Sequence, residues 1–238
     1  MTSILKIDAS ARVVRSLTRD MTSLFVSEWY ARESSVEVRC RDVGVNPPNP
    51  VSEDWISAAF ATQDRTPAQS AALRESDELI DEIEWADVIV LGTPMYNYGV
   101  PAQLKAWIDQ IVRIGRTFSF DLDRGDTPIE PILSGKTLVL LSSSGEGGLA
   151  MGEANAAKNH LQPHLMTIAP YLGAQRVHDI GIEYQEFKDE RHEKSIHDAH
   201  EDIRQLVEHL HIDRSSASPS TTPCMSGAQI SMVGAGGG

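Results

Sequence analysis

The sequence predicts an α/β domain: a doubly wound parallel sheet of five strands in the order 2-1-3-4-5, with helices on both faces. Three observations carry this. Short aliphatic runs, Ile4-Leu5-Lys6-Ile7, Val88-Ile89-Val90-Leu91 and Lys136-Thr137-Leu138-Val139-Leu140-Leu141, have the length and composition of strands buried on both faces of a parallel sheet. Segments with helical apolar spacing alternate with them, which is the βαβ pattern. Each run gives way to small, polar or proline residues, as loops at the carboxyl ends of strands do.

In chain order, Ile4 to Ile7 is the first strand. Residues 8–18 (DASARVVRSLT) leave it, and Leu17, Met21, Leu24, Phe25 and Trp29 then share one helical face. Ser16 stands where a helix N-cap belongs, with Leu17 and Thr18 in the first turn. Val36 to Asp42 alternates as an edge strand does, and its Cys40 is expected as a small core residue. Gly44 to Pro50, with Asn-Pro twice, is a loop. Residues 53–85 read as two helical pieces broken near Thr66-Pro67, the second spanning roughly 71–85. Gly92-Thr93-Pro94 stops the central strand, because proline has no N–H for the ladder. Pro101 opens a helix in which Leu104, Trp107, Ile108, Ile111 and Val112 recur at helical spacing. Arg113 to Pro131 is connecting material. The strand from Lys136 ends in Ser142 to Gly148 (SSSGEGG), small residues that let backbone come close to a ligand. Residues 153–170 are expected to be helical with an interruption near Pro163, Arg176 to Ile182 is the last strand, and 186–210 is the last helix. The domain is therefore placed at 1–213. Residues 214–238, rich in Ser, Thr, Pro and Gly, read as a disordered tail.

Composition narrows the function classes. A formal net charge of −13 argues against a nucleic-acid partner, since phosphates would be repelled. Cys40 and Cys224 make neither a disulfide framework nor a metal pattern, and a reducing cytoplasm suits them. The first residues, MTSILKIDAS, carry no secretory signal, and no apolar stretch is long enough to cross a membrane. His197 and His200 are three apart, but with no nearby cysteine or H-E-x-x-H pattern they read as a solvated helix face, and no metal site is expected. There is no G-x-G-x-x-G and no Walker sequence.

What chemistry there is sits in three loops at the carboxyl ends of strands one, three and four, where open parallel sheets bind ligands. The first leads into a helix N-terminus, whose free N–H groups and positive dipole end favour phosphate. Ser10, Ser16 and Thr18 add hydroxyl donors there, and Arg12 and Arg15 add positive charge. The second, Met95-Tyr96-Asn97-Tyr98-Gly99, offers flat apolar surface and a few hydrogen-bonding groups, which suits a planar heterocycle. The third is the small-residue loop after Leu141.

Together these loops resemble the flavin site of the FMN-dependent NADH:quinone oxidoreductase and azoreductase family, a flavodoxin-like fold. The resemblance is carried by Ser10 with Ser16-Leu17-Thr18, by Thr93-Pro94-Met95-Tyr96-Asn97-Tyr98, by Gln103-Leu104-Lys105 with Asp109, by Gly115-Arg116-Thr117-Phe118, and by Gly135-Lys136 leading to Ser143-Ser144-Gly145. It covers roughly residues 3–210, and the P-M-Y-N-Y segment followed by Q-L-K is its most specific part. It implies that Ser10, Ser16, Leu17 and Thr18 hold the FMN phosphate. Met95, Tyr96, Asn97 and Tyr98 would lie along the isoalloxazine, and Ser143, Ser144, Gly145 and Glu146 would close the other side. Phe118 and Phe120 fall on the substrate side. His164, beside Pro163, is a candidate proton donor to reduced substrate. The sequence departs from the family at Ser144, commonly arginine, at Glu146, commonly glycine, at Phe120, often tyrosine, and in a longer segment 145–160. The implied activity is a ping-pong cycle in which NADH reduces the flavin and a quinone or azo compound then takes two electrons. A cytoplasmic homodimer is the implied assembly. The alternative on the same fold is a flavodoxin-like electron carrier with no substrate turnover of its own, whose acidic charge would suit basic partners.

Overall fold

The computed structural model describes residues 1–217. Its elements in order are β1 (Ser3–Asp8), α1 (Leu17–Arg32), β2 (Glu37–Asp42), α2 (Glu53–Ala59), α3 (Pro67–Ala72), α4 (Arg74–Trp85), β3 (Val88–Pro94), α5 (Ala102–Ile111), β4 (Phe118–Phe120), β5 (Ile129–Pro131), β6 (Lys136–Ser143), α6 (Gln162–Ile168), β7 (Ala174–Ile182) and α7 (Glu190–Ala217). The five-stranded sheet has the order β2-β1-β3-β6-β7 with every pair parallel, the predicted 2-1-3-4-5 winding.

Side chains alternate across the strands, so each long strand feeds two cores. Leu5, Ile7, Ile89, Leu91, Leu138 and Leu140 pack under α4, α5 and α6. Ile4, Val88, Val90, Val139 and Leu141 pack on the opposite face under α1 and α7, against Met21, Phe25, Trp29, Ile203 and Val207. This double burial is why β1, β3 and β6 read as continuous apolar runs.

Several boundaries differ from expectation, each for a local reason. β3 runs through Gly92-Thr93-Pro94 instead of stopping there. Pro94 pairs with Ser143, and the ladder resumes with Met95 N–H donating to Ser143 O at 2.7 Å. Residues 53–85 form three helices, because the chain breaks again at Leu73 between α3 and α4. Pro101 occupies the N-cap of α5, one residue outside the first turn. Pro163 lies in the first turn of α6 and starts that helix, at a position where its missing N–H costs nothing; a 3₁₀ turn at Ala156–Lys158 precedes it. The connecting segment 113–131 contains the antiparallel ribbon β4–β5. Cys40 is exposed and outside the core, because β2 is an edge strand with one neighbour. Helix α7 continues to Ala217, while Cys224 and the remainder of the expected tail lie outside the described residues.

One carboxylate ties the start of the sheet to the end of α1. Glu33 accepts hydrogen bonds from Thr2 N–H (3.0 Å), the Thr2 hydroxyl (2.8 Å) and the Trp29 indole N–H (3.1 Å). Burial opposes its ionisation, but these donors outweigh that and hold its pKa below the ordinary 4.5. A depressed carboxylate contributes stability above its unfolded pKa and loses it as pH falls. Glu33→Gln should therefore cost about 1 kcal/mol at pH 7. The gap to the parent should close as pH drops through 4.5 and below, which urea denaturation across pH reads directly. A gap that stays constant down to acid pH would show that charge on Glu33 contributes nothing.

Candidate functional site

The three loops converge at one rim of the sheet. The first begins where Ala9 N–H donates to Gly92 O at 2.8 Å, which brings the loop against β3. Ser10, Ser16 and Thr18 are all buried. Ser16 has the extended backbone of an N-cap, yet its hydroxyl makes no capping bond; it lies 3.5 Å from the Thr18 hydroxyl. The first intrahelical bond is Asp20 N–H to Ser16 O, so the N–H groups of Leu17, Thr18 and Arg19 lack partners among the described residues. The expected side-chain cap is thus replaced by a set of free donors at the positive end of a 16-residue helix. Arg12 and Arg15 stand exposed beside it with no ion pair among the described residues. Such an arrangement suits an anion.

The second loop is a two-residue hairpin. Tyr96 N–H donates to Gly99 O at 3.1 Å and Gly99 N–H to Tyr96 O at 3.0 Å. Asn97 and Tyr98 at its tip have φ of 49° and 67°, the type I′ geometry. Asparagine tolerates that conformation, but a tyrosine there costs on the order of 1 kcal/mol. Contacts from the third loop hold it. The Tyr98 hydroxyl donates to Glu146 at 2.8 Å, Lys158 pairs with the same carboxylate at 2.9 Å, and His160 N–H donates to Tyr98 O at 2.9 Å. The bond to Glu146 pushes the Tyr98 phenol above its usual range, while Lys158 and then Tyr98 hold Glu146 below the usual carboxylate range. Glu146, one of the departures from the family pattern, therefore works as a bridge between two loops.

The third loop is pinned from below. Ser144 N–H donates to Ile182 O at 2.9 Å, and its hydroxyl to Glu146 O at 2.7 Å. The Glu183 carboxylate accepts from Gly148 N–H (3.1 Å) and Leu149 N–H (3.3 Å). Gly147 lies flat on the Tyr184 ring, where an added Cβ would sit 2.1 Å from Tyr184 Cζ. The segment 183–186 after β7 thus becomes part of the site's frame. Sequence reasoning missed it, because no motif or periodicity marks a connection defined only by what packs on it.

A cleft lies between the loops, lined by Ser10, Arg12, Arg15, Ser16 and Leu17 on one side and Pro94, Met95, Tyr96, Ser143, Gly145, Gln185 and Glu186 on the other. A larger adjoining cavity of about 480 Å³ shares Met95 and Ser143 with it and adds Ser144, Leu149, Leu161 and Ile182. Among the expected site residues, Thr18 is buried and does not line the cleft itself, with its hydroxyl 3.5 Å from that of Ser16, which does. Asn97, Tyr98 and Glu146 stand at the cleft's exposed rim and line neither cavity. Phe118 and Phe120 also line neither: Phe118 is buried edge-on against Tyr171 at 6.1 Å, and Phe120 is exposed. His164 is half-buried, its Nε2 has no hydrogen-bond partner among the described residues, and it lines neither cavity, although Leu161 and Gln162 just before it line the larger one. Among the described residues no group of acidic, histidine or cysteine side chains could hold a metal ion, and no helix is long and apolar enough to cross a membrane.

A family model described as flavodoxin-like fold matches residues 2–207. The chain is 48% identical over 218 residues to the FMN-dependent NADH:quinone oxidoreductase 2 of Idiomarina loihiensis, covering 88% of this chain and 91% of that one. It is 46% identical over 218 residues to the protein of the same name from Colwellia psychrerythraea, covering 88% and 100%. The fold matches an azoreductase structure from Bacillus anthracis with a TM-score of 0.77 at 20% identity, covering 88% of this chain and 100% of that one. It also matches an FMN-dependent NADH-azoreductase from that organism in complex with FMN, with a TM-score of 0.76 at 16% identity and coverage of 88% and 99%.

Proposed function

We propose a function from one premise: this chain belongs to the family of FMN-dependent NADH:quinone oxidoreductases, on the flavodoxin-like fold. It binds FMN across the three loops and passes electrons from NADH to quinones and azo compounds, two at a time, by a ping-pong cycle. The observation that carries this is the anion seat at the start of α1, with its free N–H groups and the buried Ser16 and Thr18 hydroxyls, opening onto a wall made by Met95 and Tyr96. An anion joined to a flat ring fits that pairing, and a free anion would leave the wall without purpose.

Ser10, Ser16, Leu17 and Thr18 hold the phosphate, and Arg12 and Arg15 add positive charge at the entrance. Met95, Tyr96, Asn97 and Tyr98 lie along one side of the ring, and Ser143, Ser144, Gly145 and Glu146 along the other. Bound FMN supplies the hydride and two-electron chemistry. The protein binds and orients the reactants and presents backbone donors to the polar edge of the ring, where negative charge develops on reduction. No side chain is assigned a proton-transfer step; His164 lines neither cavity. The protein works as a cytoplasmic homodimer. Phe120, exposed on one subunit, is then available to the substrate side of the other's pocket, with Phe118 backing the ribbon that carries it.

The purified protein should be yellow, NADH should bleach it anaerobically, and a quinone should restore the colour. Colourless protein that takes up no added FMN would remove the proposal. An electron carrier is separated by steady-state NADH oxidation with a soluble quinone and no partner protein, which a carrier cannot sustain.

A further inference from the structure

We propose that Arg19 is a positioning residue that sets the shape of the anion loop through two backbone carbonyls. It stands in the first turns of α1 and reaches back beneath the loop. Its Nη2 donates to Ser10 O at 2.7 Å and its Nε to Arg12 O at 3.0 Å. Both Nη atoms also bind Asp42 on β2 at 2.7 Å, a bidentate pair, and Asp8 lies 3.7 Å from Nη1. Asp8 is in turn held by Lys6 at 2.8 Å and by the Thr22 hydroxyl at 2.7 Å. The peptide bonds among the described residues are all trans, so the N–H of each of these peptide units points opposite to its C=O. Fixing Ser10 O and Arg12 O toward Arg19 therefore turns the N–H groups of Ala11 and Val13 to the other side of the loop. Neither of them has a hydrogen-bond partner among the described residues. Arg19 itself does not line the cleft, whereas Ser10 and Arg12 do. Its side-chain hydrogen bonds go to the two carbonyls and to Asp42, which neutralises its charge, so the side chain acts through the loop and does not touch the ligand.

Only arginine can do this. Spanning two carbonyls while gripping a carboxylate needs the planar fork, and lysine offers one point of attachment. Gly44 completes the scaffold from the other side: a Cβ there would lie 2.1 Å from Ser10 O.

The proposal rests on the FMN reading, and the test separates the two. Flavin-free wild type, Arg19→Met, Arg19→Lys and Asp42→Asn are titrated with FMN and with riboflavin, following flavin fluorescence. Both Arg19 variants should lose FMN affinity by roughly 10- to 100-fold, the scale of a lost charge-assisted pair, with riboflavin affinity unchanged. Asp42→Asn, which keeps one acceptor, should lose less in the same direction. Arg19→Lys with wild-type FMN affinity would mean that charge alone matters and would overturn the proposal. Equal losses for FMN and riboflavin would also overturn it, since a general structural role predicts that. If the Arg19 variants do not fold, the ratio in Asp42→Asn decides alone, and a wild-type ratio there ends the idea. Wild type that binds neither flavin would sink the FMN reading itself, and this proposal with it.

Discussion

Replacing Ser16 by aspartate should abolish FMN binding while leaving the fold as stable as before, or more so. The two effects have opposite signs because they come from the same few atoms. Ser16 sits at the N-cap of α1 without using its side chain as a cap, and the first-turn N–H groups have no partner among the described residues. Aspartate is among the best N-cap residues, and a carboxylate at the positive end of a helix contributes about 0.3–1 kcal/mol. The same carboxylate would occupy the place proposed for the phosphate. Two unit charges 4 Å apart in a partly buried site repel by roughly 4 kcal/mol, about a 10³-fold loss of affinity. Riboflavin has no phosphate and should bind the variant as it binds the parent. Thermal melting of the flavin-free proteins and titration with both flavins give all the numbers required. FMN affinity within tenfold of the parent would mean that the phosphate does not sit at this helix end.

How much of this could be read in advance follows from where each segment's partners lie. β1, β3 and β6 are buried on both faces, so their apolar runs announce themselves, and the winding order follows from their spacing with the helices. The three loops were legible as a group because each leaves a carboxyl end of such a strand. The remainder depends on contacts distant in sequence. Tyr98 reads as an ordinary loop tyrosine, and its left-handed backbone follows only from the hold of Glu146 and His160. Glu146, one of the departures from the family pattern, reaches across to brace the second loop. Ser16 matched the N-cap preference in identity and position, but its hydroxyl is turned to Thr18. The ribbon β4–β5 consists of strands too short to show alternation. Residue type alone suggests a core place for Cys40, and the sheet order puts it on an exposed edge.

Gly92 is the clearest case of a residue whose reason lies outside its own segment, and Gly92→Ala should be among the more damaging single changes in the domain. As part of Gly-Thr-Pro it looked like a strand terminator, yet it is inside β3 and fully buried. An added Cβ would lie 2.5 Å from the Thr22 Cγ2 methyl and 2.9 Å from Thr18 O, so α1 rides directly on the strand at this point. Helix α1 would have to lift, which overpacking costs at roughly 2–3 kcal/mol, and the N–H groups proposed for the phosphate would move with it. Thr22→Ser removes the methyl and keeps the hydroxyl that binds Asp8. Alone it should cost about 1 kcal/mol for the lost packing. Combined with Gly92→Ala it should restore part of the stability, leaving a net loss of about 1–2 kcal/mol, which is a favourable coupling of about 2 kcal/mol in a double-mutant cycle measured by denaturant unfolding. The rescue should stop short of wild type, because Thr18 O is backbone and cannot be trimmed, and FMN affinity should stay low in the double variant for the same reason. Strict additivity of the two changes would show that the helix is not pressed on the strand there.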